Sequence, residues 1–397
     1  MLTERLEFGP ERDAEIFAVV PAAPAVFLLR GEDDHAEPYV SKTANLRRRL
    51  QRLLGPVEER TRKLNLRDRV RWIDYTPTGS DFESGFLLYR VLRSTFPKTY
   101  ANRMRFRFAP LVKLHLENQY PRASITTRLG RFKGRTLYYG PFQTRTAAEK
   151  FMNDSLDFFK MRRCVDDLHP DPKFPGCIYS EMKMCLAPCF KGCSDEEYST
   201  EVNRVQGYFD SGGESLAREF SVQRDAASAN LAFEEAAAIH VRLEKLKPTI
   251  NQLPEIVRRL DRLSALIVQP CQSQPRHLAE SVTFFRVDRG AISGPAIFCI
   301  QAAEHTKSQS MESRVQGVLD SFASEKMSAA LETMEHLALL KRWYYRSRRI
   351  GEIFLADDKE AFPMRRIVRG ISRVLRGEGP EEDPAGQTPI GITELLS

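Results

Sequence analysis

The sequence predicts an α+β protein assembled from several compact units, and three observations carry that expectation. Short apolar runs such as "AVFLLRG", bounded by turn residues, have the length of strands rather than helices. Between them stand stretches with apolar residues at helical spacing, the first being Leu46, Leu50, Leu53 and Leu54 with arginines interleaved. A chain of 397 residues, 42% of them hydrophobic, is long enough for two to four units that each bury a core, which excludes a disordered polyelectrolyte. No apolar run approaches the ~18 residues needed to cross a bilayer. The charged start "MLTERLEFGPERDAE" lacks the apolar core of a secretory signal, so no membrane association and a cytoplasmic location are expected.

Residues 1–20 are polar and give no periodic signal. Residues 21–105 form the first unit. "AVFLLRG" and "PYVS" read as two strands joined by the acidic turn "GEDDH", and residues 43–54 as a basic amphipathic helix. "VRWIDYTP" is a third strand, and "SDFESGFLLYRVLRSTFP" is a helix capped by Ser80 or Asp81 and stopped before Pro97. Residues 106–163 extend this with strands "APLVKLHLE" and "RASITTRLG", then a turn at "YYGPFQT" and a helix. A cysteine segment spans 164–194. Residues 195–252 are helical, with a seam at Ile239, Leu243, Leu246 and Ile250 spaced four, three and four. Residues 253–376 form a C-terminal α/β or α+β unit, with strand-like "SALIVQ", "SVTFFRV" and "GAISGPAIFCIQ" before long helices ending in "MEHLALLKRWYYRSRRIGEIFLAD". Residues 377–397, with five acids, three prolines and no Lys or Arg, read as a disordered acidic tail.

The formal charge of +7 is unevenly spread. Residues 42–71 hold eleven basic and three acidic side chains, and residues 89–113 hold seven basic and none acidic. Such asymmetry suits a polyanion, because each phosphate contact by Lys or Arg releases condensed counterions. Arg47, Arg48 and Arg52 on the first helix and Arg90 and Arg93 on the second are the candidate DNA contacts.

Tyr39 and Lys42 at the end of one strand, followed by Arg49 on the next helix, bring a phenol, an ammonium and a guanidinium to a strand–helix junction. Such a set can position water at a phosphodiester and stabilise developing charge. The order of strand, tight turn, "YVSKTANLRRRL", strand and acidic-start helix resembles a GIY-YIG nuclease domain. With "YYGPFQT", "CIYSEMKMCLAPC" and "LAFEEAAAIHVRLEKL" downstream, the chain from about Ala25 to Leu246 resembles the N-terminal half of UvrC, the incision subunit of bacterial nucleotide excision repair. The resemblance implies Tyr39 as the second-motif tyrosine, Lys42 as the lysine after it and Arg49 as the phosphate-holding arginine. It also exposes three departures. Phe27 stands at the first-motif tyrosine, Ser41 at the motif glycine, and Leu88 where a glutamate holds the divalent ion. Mg²⁺ needs oxygen ligands, and residues 84–116 contain no Asp or Glu. Glu83 lies roughly 140° around the helix from Leu88. The expectation is a domain that binds nucleic acid without the usual metal-assisted cut, Mg²⁺ being relevant only to an active nuclease.

Cys164, Cys177, Cys185 and Cys189 are separated by twelve, seven and three residues, with Cys193 four further on. In a reducing compartment four such thiols point to a metal or cluster site. Spacing leaves zinc and iron–sulfur both open; the resemblance to UvrC implies a [4Fe–4S] cluster in a structural role, with Cys193 spare. "AASANLAFEEAAAIHVRLEKLK" resembles the UVR motif, a helical hairpin that in UvrC docks on UvrB. The resemblance implies Phe233 as the anchor, Ala236 and Ala237 as close-approach positions and Arg242 as a rim residue. The C-terminal unit has one acid, Asp288, in the strand stretch "SVTFFRVDRG", so no second nuclease centre is expected. The resemblance thus implies a DNA-binding repair protein working with a UvrB-type helicase, with an active structure-selective endonuclease or a protein-binding scaffold as alternatives.

Overall fold

A computed structural model of the chain describes residues 2–33, 35–56, 64–130, 136–165, 167–272, 280–301, 309–322 and 329–379. The first unit holds β1 (Glu4–Glu7), α1 (Asp13–Val19), β2 (Ala25–Arg30), β3 (Tyr39–Thr43), α2 (Leu46–Leu54), β4 (Trp72–Pro77), α3 (Asp81–Thr95) and α4 (Tyr100–Met104). Its antiparallel sheet runs β1-β4-β2-β3. Residues 1–20, silent in the sequence, therefore supply an edge strand and a helix. β1 is nearly all exposed and shows no alternation, while Phe8, Ile16 and Val20 insert singly into the core beside Phe27 and Leu50. α2 starts where the Asn45 side chain accepts from the Arg48 N–H, and α3 where Ser80 accepts from the Glu83 N–H.

The second unit holds β5 (Leu111–His115), β6 (Ala123–Thr126), β7 (Thr136–Gly140) and α5 (Arg145–Leu156). The Tyr138–Tyr139 pair, expected in a turn, lies in β7, where Tyr139 pairs with Val112 and is fully buried. The cysteine segment follows, with the single turn α6 (Ile178–Glu181). Then come α7 (Asp195–Asp210), α8 (Glu214–Ala229) and α9 (Phe233–Asn251). α8 and α9 form a hairpin, and all four seam residues of α9 are buried. β8 (Arg258–Arg259) returns to β7 and completes the antiparallel order β6-β5-β7-β8.

The third unit holds β9 (Ser264–Pro270), β10 (Ser281–Asp288), β11 (Ala291–Cys299), α10 (Met311–Ser321), α11 (Ala330–Tyr344), β12 (Glu352–Leu355) and α12 (Met364–Leu375), with antiparallel order β11-β10-β9-β12. The helix expected to run on through "RWYYRSRRIGEIFLAD" stops at Tyr344, and Glu352–Leu355 is a strand paired with β9. Gly351 makes this change of direction possible. Its φ is +81°, and a Cβ there would lie 2.4 Å from the Val268 carbonyl oxygen. Leu266 and Val268 face α10 and α12, while Ala265 and Ile267 face the large core that includes α11, so this sheet is buried on both sides. Burial on both faces explains the continuous apolar reading of "SALIV".

α3 belongs to two cores. Leu87, Leu88 and Val91 meet Val26 and Leu28 of the first sheet, while Phe82 and Phe86 meet Phe285, 5.0 and 5.7 Å away between ring centroids. The fold is α+β, as expected. Residues 380–397 of the acidic tail lie outside the described residues.

Candidate nucleic-acid interface and cysteine centre

The pleat of β3 divides the residues at the strand–helix junction between two faces. Tyr39 and Ser41 lie on the face covered by α2, across the ladder from Leu29 and Phe27. There Arg49 Nη2 donates to the Tyr39 hydroxyl at 2.8 Å, and the Phe27 ring stands 6.0 Å from that of Tyr39. Arg49 Nε is buried without a hydrogen-bond partner among the described residues, a donor suited to an incoming anion. Lys42 lies on the other face, with α3. Its Nζ donates to Asp81 Oδ1 at 2.5 Å, and Arg346 Nη1 reaches Asp81 Oδ2 at 2.7 Å. Burial alone would raise the Asp81 carboxyl. Lys42, Arg346 and Arg342 together hold it below its ordinary value, so it stays an anion.

Leu88 is on this second face, packed on the cluster of Val26, Leu28 and Val91. The structure thus joins Tyr39 to Arg49 and Lys42 to Asp81, but gives the Leu88 position no carboxylate. Glu83 does not substitute. Its Oε2 accepts from the Gly79 N–H at 2.8 Å, and burial pushes its carboxyl up to about 7. Asp81, in the sequence only a cap candidate, lies seven residues before Leu88, about 20° away around the helix at roughly 100° per residue.

The candidate DNA-contact arginines divide as well. Arg48 and Arg52 are exposed on α2. Arg47 instead donates to the carbonyls of Val20 and Ala18 at 2.8 and 3.2 Å, tying α2 to α1. Arg90 donates to the Gly294 carbonyl at 3.0 Å, and Arg93 bonds the Tyr89 hydroxyl and Glu332. Both therefore join α3 to the third unit.

Cys164, Cys177, Cys185 and Cys189 are brought into one another's electrostatic range. Burial pushes the Cys185 thiol up to about 11, and Cys164, Cys189 and Cys177 add to the rise. Cys185 Sγ accepts from the Ala187 N–H at 3.3 Å and Cys164 Sγ from Arg162 Nη1 at 3.4 Å. Two turns with positive φ, at Ala187 and Lys191, fold the segment around Pro188 and Cys189. Among the described residues, no group of three Cys, His, Asp or Glu is spaced to hold a single metal ion.

On the α8–α9 hairpin, Phe233 is 65% exposed, with Leu231, Val222 and Val241 also exposed. Ala236 is partly packed and Ala237 exposed, and the Arg242 guanidinium lies 4.5 Å from the Phe220 ring centroid. No described helix is long and apolar enough to cross a membrane.

These features define an α+β protein with a basic strand–helix junction, a cysteine-rich segment and a helical hairpin with exposed apolar side chains. A family model described as the UvrC/Cho excinuclease middle domain matches residues 110–207, from the start of the second sheet through the cysteine segment into α7. UvrABC system protein C of Rickettsia canadensis is 23% identical over 291 residues, covering 70% of this chain and 44% of that protein. The proteins of the same name from Stenotrophomonas maltophilia and Carboxydothermus hydrogenoformans are 28% and 29% identical over 240 and 231 residues. They cover 60% and 57% of this chain and 38% and 37% of their own lengths. No solved structure matches the chain. The chain is UvrC-like, and it spans less than half the length of these relatives.

Proposed function

We propose that the protein is a UvrC-like DNA-binding factor of nucleotide excision repair whose GIY-YIG-like domain grips phosphate with weak or absent cleavage. One observation carries this. At the metal position Leu88 packs on the cluster of Val26, Leu28 and Val91, and the carboxylate on the same helix face, Asp81, is ion-paired with Lys42 and Arg346. These residues do not fit Mg²⁺, which needs free oxygen donors, and no cleavage step is routed through it. Tyr39 and Arg49, on the α2 face, retain a hydroxyl and a guanidinium that can hold a phosphate, while Lys42 on the opposite face is paired with Asp81. Incubation with bubble DNA and Mg²⁺ tests the proposal, with binding and no nick as the expected result.

Asp81 favours a second reading, that of an active endonuclease. If DNA phosphates draw Lys42 and Arg346 away, Asp81 becomes a free carboxylate on the Leu88 face. A Mg²⁺-dependent nick lost in Asp81→Asn would support it.

The four thiols are the donor type of a [4Fe–4S] cluster, with Zn²⁺ as the alternative, although among the described residues no three are spaced for a single metal ion. Thiolates are the donors both take, and the Ala187 N–H on the Cys185 sulfur offsets part of the burial that holds its thiol up. When bound, the cluster would clip the cysteine segment onto the second unit. The exposed Phe233 and its apolar neighbours support docking of the hairpin on a UvrB-type helicase.

A further inference from the structure

α3 and α4 of the first unit face the end of α11 across a cleft of about 680 Å³. Seven cationic side chains and one carboxylate, Asp81, line it. One wall carries Arg103, Arg105 and Arg107 at every second residue. Arg103 is in the last turn of α4 and is ion-paired with Glu37, Arg105 is the left-handed residue that ends the helix (φ +50°), and Arg107 follows it. The other wall carries Lys341, Arg342 and Arg346 from α11 and the turn after it. Arg105, Arg107 and Arg342 have no hydrogen-bond or ion-pair partner among the described residues, and Arg342 and Arg107 are exposed. The walls also repel. Burial and the charge of Arg107 both lower the Lys341 ammonium from its ordinary value. Seven cations against the Asp81 carboxylate, three of them paired to Asp81 or Glu37, leave an excess of positive charge between two separate units that suits an anion. Phe106 and Tyr345 supply ring surface between the cations.

The volume is within the range of small-molecule sites, roughly 300–1,000 Å³, so the cleft takes a few nucleotides of one strand and not the cross-section of a duplex. Cations on both walls suit the phosphates of a backbone, and rings among cations suit base stacking.

We propose that this cleft binds the backbone of single-stranded DNA and that the third unit, through Lys341, Arg342 and Arg346, supplies half of its grip. The inference rests on the DNA-binding reading and assigns that binding to a strand lying between the two units.

The test uses the full chain and a fluorescein-labelled twelve-nucleotide oligothymidylate, followed by anisotropy from 50 to 300 mM salt. Arg107→Ala combined with Arg342→Ala removes one exposed cation from each wall. The expected result is about a tenfold weaker Kd at 150 mM salt and a salt slope smaller by about 1.4, at roughly 0.7 per lost single-strand phosphate contact. A control pair on the outer face of α5, Arg145→Ala with Lys150→Ala, leaves both quantities unchanged. Circular dichroism reports whether the variants fold as the wild type does. An unchanged Kd and slope in the cleft variant overturns the inference, as does a weaker Kd with an unchanged slope. Tighter binding of a blunt duplex than of the oligothymidylate, or equal competition by thymidine monophosphate, also overturns it. If the wild type binds bubble DNA and the cleft variant binds it equally, the cleft is wrong and the DNA-binding reading stands. If the wild type binds no DNA, both fall.

Discussion

Glu335 on α11 is the buried one of the polar joints between the first and third units, 1% exposed, and its two oxygens accept from Tyr89 of α3 and Tyr100 of α4, each at 2.7 Å. Burial and the neighbouring carboxylate hold the Tyr89 phenol above its ordinary range, so it remains a donor. Glu335→Ala leaves Tyr89, 1% exposed, with a buried hydroxyl that donates to nothing. A buried hydroxyl proton left without its acceptor costs about 1–3 kcal/mol, while the oxygen still accepts from Arg93. Tyr100 is only partly buried and can turn to water, so it adds a fraction of that. The cavity left by the side chain adds a further term, which brings the expected loss to about 2–4 kcal/mol. Glu335→Gln keeps an acceptor for Tyr89 and is expected to lose only about 1 kcal/mol. The assay is urea unfolding followed by tryptophan fluorescence, since Trp343 is on the same helix and one of only two tryptophans. A loss under about 0.5 kcal/mol for Glu335→Ala, or equal losses for the two variants, would refute the role of this carboxylate as the joint.

His336 gives a pH dependence. Burial pushes it down to about 4 from an ordinary 6.5, so the unfolded chain binds a proton between these values that the folded chain refuses. Its contribution is fully present above pH 6.5 and falls as the pH drops toward 4, by about 3 kcal/mol at most. Stability curves of wild type and His336→Gln should therefore converge on acidification, and parallel curves would contradict this. Asp81→Asn removes the one carboxylate of the cleft and frees Lys42 and Arg346, so oligothymidylate binding should tighten several-fold; weaker binding would count against the electrostatics described. Anaerobically purified protein should absorb near 400 nm, an absorbance lost in Cys185→Ser and kept in Cys193→Ser, and a colourless protein with one zinc would refute the cluster. Phe233→Ala should leave stability unchanged, being 65% exposed, yet weaken binding to a UvrB-type helicase, whereas Leu243→Ala, 1% exposed, should cost about 2–5 kcal/mol.

Elements with a one-sided environment were legible in the sequence. α2 shows its apolar stripe because one face is buried and the other is solvated. α3 was found by its cap and its proline stop, although its burial on two sides blurred its periodicity. β1 and β12 were missed for opposite reasons. β1 is an exposed edge whose side chains carry no pattern, and β12 follows a basic helix so closely that only the conformation of Gly351 separates them. At the candidate site, Tyr39 and Arg49 met as their spacing suggested. That Arg90 and Arg93 turn inward to the third unit, and that Arg342 and Arg346 come to face Lys42, depends on contacts more than 200 residues apart in the chain, which no local pattern encodes.

Incision of a labelled bubble duplex by the purified protein, with Mg²⁺ or Mn²⁺ and with or without a UvrB-type helicase, bears most directly on a site that grips without cutting. The structure of the Leu88 position predicts a bound duplex and no product from this domain. A metal-dependent nick that disappears in Tyr39→Phe would contradict it.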